Sequence, residues 1–140
     1  MKSSNHNTPY LVSSCLIGLL CRYDCKIKAD SNCIKKLQNS IWIPVCPEQM
    51  GGLSTPREAA DIIGGNGKDV LAGKARVITA SGIDRTGEFI RGAHQVLTIA
   101  RAQRVQGVIL KARSPSCSVT GTIGVTAALL KENGFDLLEF

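Results

Sequence analysis

Residues 10–24 read YLVSSCLIGLLCRYD, an apolar run that stops at a cysteine and continues into a loop ending in Arg-Tyr-Asp. The first part, residues 10–16, is short and mostly apolar, as is typical of a strand buried in a parallel sheet. Ligands of α/β proteins bind beyond the carboxyl ends of such strands. Cys15, at the end of this strand, is therefore a candidate site residue as well as a marker of the fold.

Strand and helix patterns alternate along the rest of the chain. We predict strands at residues 10–16, 41–45, 75–79, 108–111 and 135–140, and helices at about 31–39, 85–103 and 122–133. Ser31 and Asp84 are the expected N-caps of the first two helices. The second of these helices carries an apolar face made of Phe89, Ala93, Val96, Leu97 and Ala100. Residues 47–74 are rich in Gly and Pro and are predicted to form a long, loop-rich excursion that can include a hairpin.

The alternation predicts the fold class. Strands that alternate with helices connect through right-handed crossovers and build a mainly parallel sheet. We therefore predict an α/β fold with three layers, Rossmann-like, in which helices flank the sheet. The 140 residues fit a single domain, which we place at residues 10–140 after a polar N-terminal tail at residues 1–9. The ligand site is expected at the C-terminal ends of the strands.

The composition of the chain argues against nucleic-acid and membrane partners. The net charge is +6, but the basic residues are scattered and only 4% of residues are aromatic, so a solvated basic surface is favoured over a nucleic-acid interface. No segment approaches the ~18 apolar residues of a membrane span, and the polar start lacks the apolar core of a signal peptide. We expect a cytoplasmic protein without a membrane partner, and the sequence leaves its oligomeric state open.

Three of the six cysteines follow predicted strands. Cys15 and Cys46 lie at the ends of the first two strands, and Cys117 lies a few residues beyond the strand at 108–111. They are far apart in the sequence, but the ends of parallel strands share one edge of the sheet. Since cytosolic thiols stay reduced, three thiols converging on one point predict a soft metal centre rather than disulfides.

An iron–sulfur cluster is a stronger candidate for this centre than zinc. Zinc takes four ligands, or three and a water, and often includes histidine. The two histidines, His6 in the tail and His94 in the middle of a helix, are poorly placed for that role. The other three cysteines are read as incidental or buried thiols, although a second zinc site made by Cys15 with Cys21, Cys25 and Cys33 stays an alternative.

Six segments resemble, in order, the signature blocks of one bacterial family. They are SSCLIGLLCRYD, VCPEQMGGLSTPRE, GGNGKDVLAGKARV, DRTGEFIRGAHQVL, ILKARSPSCS and GVTAALLKENG, and they reach from about residue 11 to the C-terminus. The family was long known as a domain of unknown function and contains the iron–sulfur enzyme thiouracil desulfidase.

The resemblance implies a cofactor and an activity. The cofactor is an oxygen-sensitive 4Fe-4S cluster held by Cys15, Cys46 and Cys117, with one iron left open for the substrate's sulfur. The activity is desulfuration without redox change, a hydrolytic cleavage of C=S that releases sulfide from a small thiolated compound, above all a thiouracil-type base. The alternative is a cluster- or zinc-containing protein that binds RNA or a small molecule, or acts as a sensor, without catalysis.

Polar residues near the three cysteines are the candidates for the chemistry. Glu48 is the expected general acid/base, because it follows Cys46 by two residues and would lie beside the cluster. Ser114 is a second catalytic candidate, and the substrate-binding candidates are Ser13, Asp24 and Ser116. The serines of Ser-Pro-Ser fit ordinary turn chemistry equally well, and Asp24 can serve either the substrate or its own loop.

The chain departs from the family pattern after its last ligand. Only residues 118–123 separate Cys117 from Gly124, where the family carries a longer loop. Cys25 and Ser118 also stand where glycine is usual. If the missing loop lines the substrate pocket, the site of this protein is more open.

Overall fold

The computed structural model describes residues 8–140, so most of the predicted tail, including His6, lies outside it. Its strands are β1 (Tyr10–Ser13), β2 (Trp42–Val45), β3 (Ala60–Ile63), β4 (Arg76–Thr79), β5 (Gly107–Leu110) and β6 (Leu137–Glu139). Its helices are α1 (Ser31–Leu37), α2 (Pro47–Met50), α3 (Gly67–Leu71), α4 (Thr86–Gln103) and α5 (Val125–Glu132). A short 3-10 turn, Ser14–Ile17, follows β1 directly.

The main sheet has four strands in the order β2-β1-β5-β6, and all of its pairs are parallel. Successive residues of the central strands point to opposite faces. Leu11 of β1 packs into the core beneath α4 and α5, whereas its neighbour Val12 packs with Leu37 of α1 on the other face. This arrangement confirms the predicted α/β fold with helices on both sides of a mainly parallel sheet.

The longest helix, α4, buries the face that its periodicity predicts. Phe89, Ala93 and Val96 are almost fully buried, and their i, i+4, i+7 spacing makes one apolar stripe. His94, on the same helix, is exposed. Within residues 8–140 no helix is both long and apolar enough to cross a membrane.

The segment between β2 and β5 has more structure than predicted. The excursion at residues 47–74 contains α2, β3 and α3, and β4 pairs antiparallel with β3 in a separate two-stranded sheet. The strand predicted at 75–79 therefore forms, but outside the parallel sheet. Val77 of β4 is completely buried and joins the same core as Phe89 of α4, so this small sheet packs against the main core instead of extending the sheet.

Three helix starts also differ from the prediction. Asp30, rather than Ser31, caps α1, because its carboxylate accepts a hydrogen bond from the backbone N–H of Cys33 at 2.9 Å. The last helix begins at Val125 instead of residue 122. Asp84 does bond near the start of α4, accepting from the N–H of Thr86 at 2.8 Å, although the N-cap position itself is Arg85.

The backbones of α2 and α4 meet at two glycines. A Cβ atom on Gly92 of α4 would lie 1.9 Å from the carbonyl oxygen of Pro47, and one on Gly51, directly after α2, would lie 2.0 Å from that of Glu88. Real Cβ atoms essentially never approach a neighbour so closely. Only glycine at both positions allows the two helices to meet, and this contact holds the start of α2 at the carboxyl end of β2.

Candidate metal centre

A cavity of about 400 Å³ opens at the carboxyl ends of β1, β2 and β5. The chain passes from β1 to β2 on one side and later places β5 on the other side of β1, so the cavity lies at a topological switch point of the sheet. Ligands of open α/β sheets bind at such points.

Three thiols reach this cavity from three strand ends. Cys15 lies in the 3-10 turn after β1, Cys46 is the N-cap of α2 directly after β2, and Cys117 follows β5 and is 4% exposed. All three line the cavity. All six cysteines are free, so none is lost to a disulfide. The structure thus brings the three predicted ligands to one place.

A fourth thiol, Cys21, lies in the cavity, although the sequence placed it only in the alternative zinc site. Cys21 is 4% exposed and lines the same cavity, and Cys46 Sγ lies 3.9 Å from its carbonyl oxygen. Neither of the other two cysteines lines the cavity, since Cys25 is exposed and Cys33 is buried on α1, in the cluster against which Cys15 also packs. The sequence signals for Cys21 are its place within the SSCLIGLLCRYD segment and its spacing from Cys15.

The thiols in the cavity differ in pKa, and Cys21 contributes to the difference. Its hydrogen bonds are the largest cause that lowers the pKa of Cys46, to about 6, and also that of Cys15. Arg57 contributes to the lowered pKa of Cys46. The pKa of Cys21 is raised, because its proton serves the other two sulfurs. Burial raises the pKa of Cys117 to about 12. The pKa is thus lowered for two of the predicted ligands, Cys15 and Cys46, and raised for the third, Cys117.

The donor set suits a thiolate-bound cluster. Among residues 8–140, no three His, Cys, Asp or Glu side chains lie close enough together to hold one metal ion. The three predicted ligands instead come from separate elements around a cavity, and a cluster takes its thiolates on separate irons. Thiolates are the soft ligands that iron–sulfur clusters use, as zinc and copper(I) also do, and no histidine of the described residues lines the cavity.

Glu48 lies in the first turn of α2 and lines the cavity beside Cys46. One carboxylate oxygen accepts a hydrogen bond from Arg57 Nε at 2.8 Å, and the other accepts from Ser116 Oγ at 3.1 Å. The side chains of Arg57 and Glu48 are only 9% and 16% exposed. Arg57 also donates to the backbone oxygen of Cys21 at 2.9 Å, and thus links the carboxylate to the fourth thiol. Sequence reasoning missed Arg57, although it lies within the STPRE block.

The predicted serines take different positions. Ser114 lines the cavity, and its hydroxyl oxygen accepts hydrogen bonds from the N–H groups of Ser116 and Cys117, both at 3.1 Å. It therefore shapes the turn that carries Cys117. Ser13 also lines the cavity and accepts from the N–H of Lys111 at 3.1 Å. Hydrogen bonding by its side chain lowers the pKa of Cys117 against the larger, raising effect of burial. Ser116 is buried and does not line the cavity.

Asp24 also lies outside the cavity wall, whereas its neighbour Arg22 lines it. The Asp24 carboxylate accepts two hydrogen bonds from the Arg22 guanidinium, at 3.0 and 2.9 Å. The Arg22 hydrogen bonds are the main cause that lowers the pKa of Asp24 to about 2. Asp24 therefore orients an arginine that faces the cavity.

The short loop after Cys117 is anchored by the last strand. The carboxylate of Glu139 accepts hydrogen bonds from the N–H groups of Val119 and Thr120, at 2.6 and 3.1 Å, and from the Thr120 hydroxyl at 2.6 Å. Beside the loop is a second concavity of about 420 Å³, which shares Ser114 with the first. The more open site expected from the short loop stays a prediction.

Comparisons with known proteins match almost the whole chain. The family model for 2-thiouracil desulfurase matches residues 10–139. The chain is 44% identical over 141 residues to the uncharacterized protein YbbK of Bacillus subtilis strain 168, covering 91% of this chain and 93% of that protein. The solved structure of the [4Fe-4S]-dependent thiouracil desulfidase TudS superimposes with a TM-score of 0.79 at 34% identity, covering 94% of this chain and 90% of that chain.

Proposed function

The chain belongs to the 2-thiouracil desulfurase family, and from this premise we propose that it removes sulfur from a small thiolated base of the thiouracil type. The balanced reaction is hydrolysis, in which C=S and water give C=O and hydrogen sulfide with no change of oxidation state. The observation that carries the proposal is the convergence of Cys15, Cys46 and Cys117 around one cavity that also holds Glu48.

The three thiols are the proposed ligands of a 4Fe-4S cluster. When bound, a cluster with three protein ligands would supply one iron that is free to bind a soft thiocarbonyl sulfur and to polarise its carbon toward water. The chain adds its own positive charge, since Arg22 and Lys111 line the same cavity. Both cations favour the thiolate form of Cys15.

Glu48 is the proposed general acid/base. As a carboxylate paired with Arg57, it can accept a proton from the attacking water and return it to the departing sulfur. Ser116 donates to the second carboxylate oxygen, so both oxygens of Glu48 accept a hydrogen bond that holds the carboxylate in place. Ser116 is thus proposed as a positioning residue for Glu48. Ser114, which lines the cavity, is proposed to contact the substrate.

The free cysteines also indicate the cellular compartment of the protein. Six free cysteines in one small domain suit a reducing compartment, because oxidising compartments favour disulfides. We therefore place the protein in the cytoplasm, where the ligand thiols stay available.

The test is sulfide release by anaerobically reconstituted protein. We expect about four irons per chain, since 4Fe-4S clusters are held by cysteine thiolates, and sulfide released in equal amount to the oxo product from 2-thiouracil or 4-thiouracil. Thionucleosides and simple thioamides extend the screen. Cys117→Ser should lose most of the iron and the activity, whereas its matched control, Cys25→Ser, changes an exposed thiol and should keep both. Iron-loaded protein that releases no sulfide from any of these compounds would overturn the proposal.

A further inference from the structure

Arg22 is a cation of the cavity wall whose orientation is fixed by its neighbours. Its Nε and Nη2 donate to the two carboxylate oxygens of Asp24, at 3.0 and 2.9 Å. Asp24 Oδ1 also accepts from the backbone N–H of Lys26 at 3.1 Å, so the carboxylate is itself tied to the loop. The side chains of Arg22 and Asp24 are only 16% and 18% exposed. The guanidinium is therefore held in one orientation beside the cavity.

Part of this guanidinium is left without a partner. An arginine has five N–H donors, and no hydrogen bond from Arg22 Nη1 is found in residues 8–140. Arg57, which lines the same cavity, differs in this respect. Its Nε donates to Glu48 at 2.8 Å, and its Nη2 and Nη1 donate to backbone carbonyl oxygens at 2.9 and 3.0 Å. Of these two mostly buried arginines, Arg22 is the one with a nitrogen available to a ligand.

The other cations of the cavity lack a partner that would orient them. Lys28, Lys111 and Arg113 line the cavity, and across the described part of the chain their side chains form neither an ion pair nor a hydrogen bond. They supply positive charge without a fixed direction. Recognition of one particular ligand atom needs a donor that is in place before the ligand arrives. Arg22 meets this condition.

We propose that Arg22 determines substrate specificity by donating from Nη1 to the carbonyl oxygen that a thiouracil keeps, with Asp24 as its positioning residue. The inference rests on the proposed function. A thiouracil carries one C=S, where sulfur is removed, and one C=O two ring positions away, which the reaction leaves unchanged. An arginine can donate to that oxygen but cannot accept a hydrogen bond. Arg22 therefore selects thiolated bases that also carry an oxo group over bases that have a hydrogen or an amino group there.

The experiment uses two bases that differ at this oxygen. 4-Thiouracil carries the second oxo group, 4-pyrimidinethione has a hydrogen in its place, and both present the same C=S. Anaerobic, iron-loaded protein is compared by kcat/KM for sulfide release and by the dissociation constant, measured from the substrate-dependent change in cluster absorption. Wild-type protein should prefer 4-thiouracil by about 10- to 150-fold in both measures, the range for a hydrogen bond to a charged group.

Three variants separate recognition of the oxygen from general charge. Arg22→Met removes the donors and should abolish the preference. Arg22→Lys keeps the charge without the planar fork of donors and should recover only a small part of it. Arg113→Met is the matched control, because it removes an arginine that lines the same cavity but has no carboxylate to orient it, and it should keep the wild-type preference. Each preference is a ratio of two bases within one variant, so incomplete iron loading cancels.

Equal use of both bases by the wild-type protein would overturn this inference. So would an Arg22→Met variant that weakens equally with both bases and thus keeps the preference, because Arg22 would then act through its charge and not on the oxygen. Iron-loaded wild-type protein that releases sulfide from neither base contradicts the proposed function itself, so the two failures are distinguishable.

Discussion

Substituting Gly92 by alanine tests whether the glycine contact between α2 and α4 positions the site. The new Cβ would lie 1.9 Å from the Pro47 carbonyl oxygen, whereas 3.0 Å is the closest that real Cβ atoms come. The helices must therefore separate by at least about 1.1 Å, the difference between those two distances. The neighbour is backbone, so no side chain can rotate away to relieve the overlap.

The size of the effect follows from two opposing terms. Overpacking costs about 1–3 kcal/mol, and replacing glycine by alanine within a helix returns at most about 1 kcal/mol. With the full helix gain the net loss reaches about 2 kcal/mol, which lowers the melting temperature by up to roughly 7 °C for a chain of this size. Because Pro47 follows Cys46 directly, the displacement should also reduce iron loading.

The matched control lies on the same helix. Gly87 of α4 has nothing within 4 Å of the position a Cβ would take, so Gly87→Ala should leave stability unchanged or raise it by at most about 1 kcal/mol. Thermal unfolding of the reduced apo-proteins, followed by circular dichroism, compares the two. If Gly92→Ala melts at or above the temperature of Gly87→Ala, α2 is not held in place by this contact and the reasoning is refuted.

Three further predictions concern the site itself. Glu48→Gln should keep its iron and its substrate-dependent change in cluster absorption but lose about 10²–10⁴ in turnover, the range for a positioned acid/base; normal turnover would mean that the carboxylate only orders its loop. In the apo-protein, the pKa of Cys46 is lowered to about 6, so this residue is a thiolate above that pH. Its alkylation by iodoacetamide, mapped by mass spectrometry, should therefore rise with a midpoint near pH 6. A midpoint near pH 9 would contradict the lowered pKa. In the same digest Cys117, whose pKa is raised to about 12 by burial, should stay unmodified at neutral pH, and equal labelling of both thiols would show that it is not buried.

The elements that can be predicted from the sequence are those with a periodic apolar pattern. Period and apolarity locate β1 and β5, and the apolar stripe of α4 identifies the face around Phe89. Parallel strands end at one edge, so Cys15 and Cys46 could be placed together without knowledge of any loop. These inferences depend on local periodicity and on a general rule of topology.

What the sequence does not predict depends on loop geometry and distant contacts. Cys21 lies on an irregular segment whose path is set by hydrogen bonds from Arg57, 36 residues away, and no local pattern encodes that contact. The pairing of β3 with β4 is missed for a similar reason, although the sequence does predict a strand at residues 75–79. The two strands are separated by α3, and their pairing depends on the burial of Val77 in the main core. Asp30 was passed over as a cap because Ser31 is as good a capping residue by type.

The three proposed ligands come from widely separated parts of the chain, one near its beginning, one a third of the way along and one near its end. A cluster bound to them would cross-link the chain and close two long loops. Closing long loops lowers the conformational entropy of the unfolded chain more than closing short ones. Metal binding and folding free energy are then coupled, so the iron-loaded form resists unfolding and the proteases that degrade unfolded chains. The protein would therefore last longer in a cell that is rich in iron and poor in oxygen, and its abundance would rise under the same conditions.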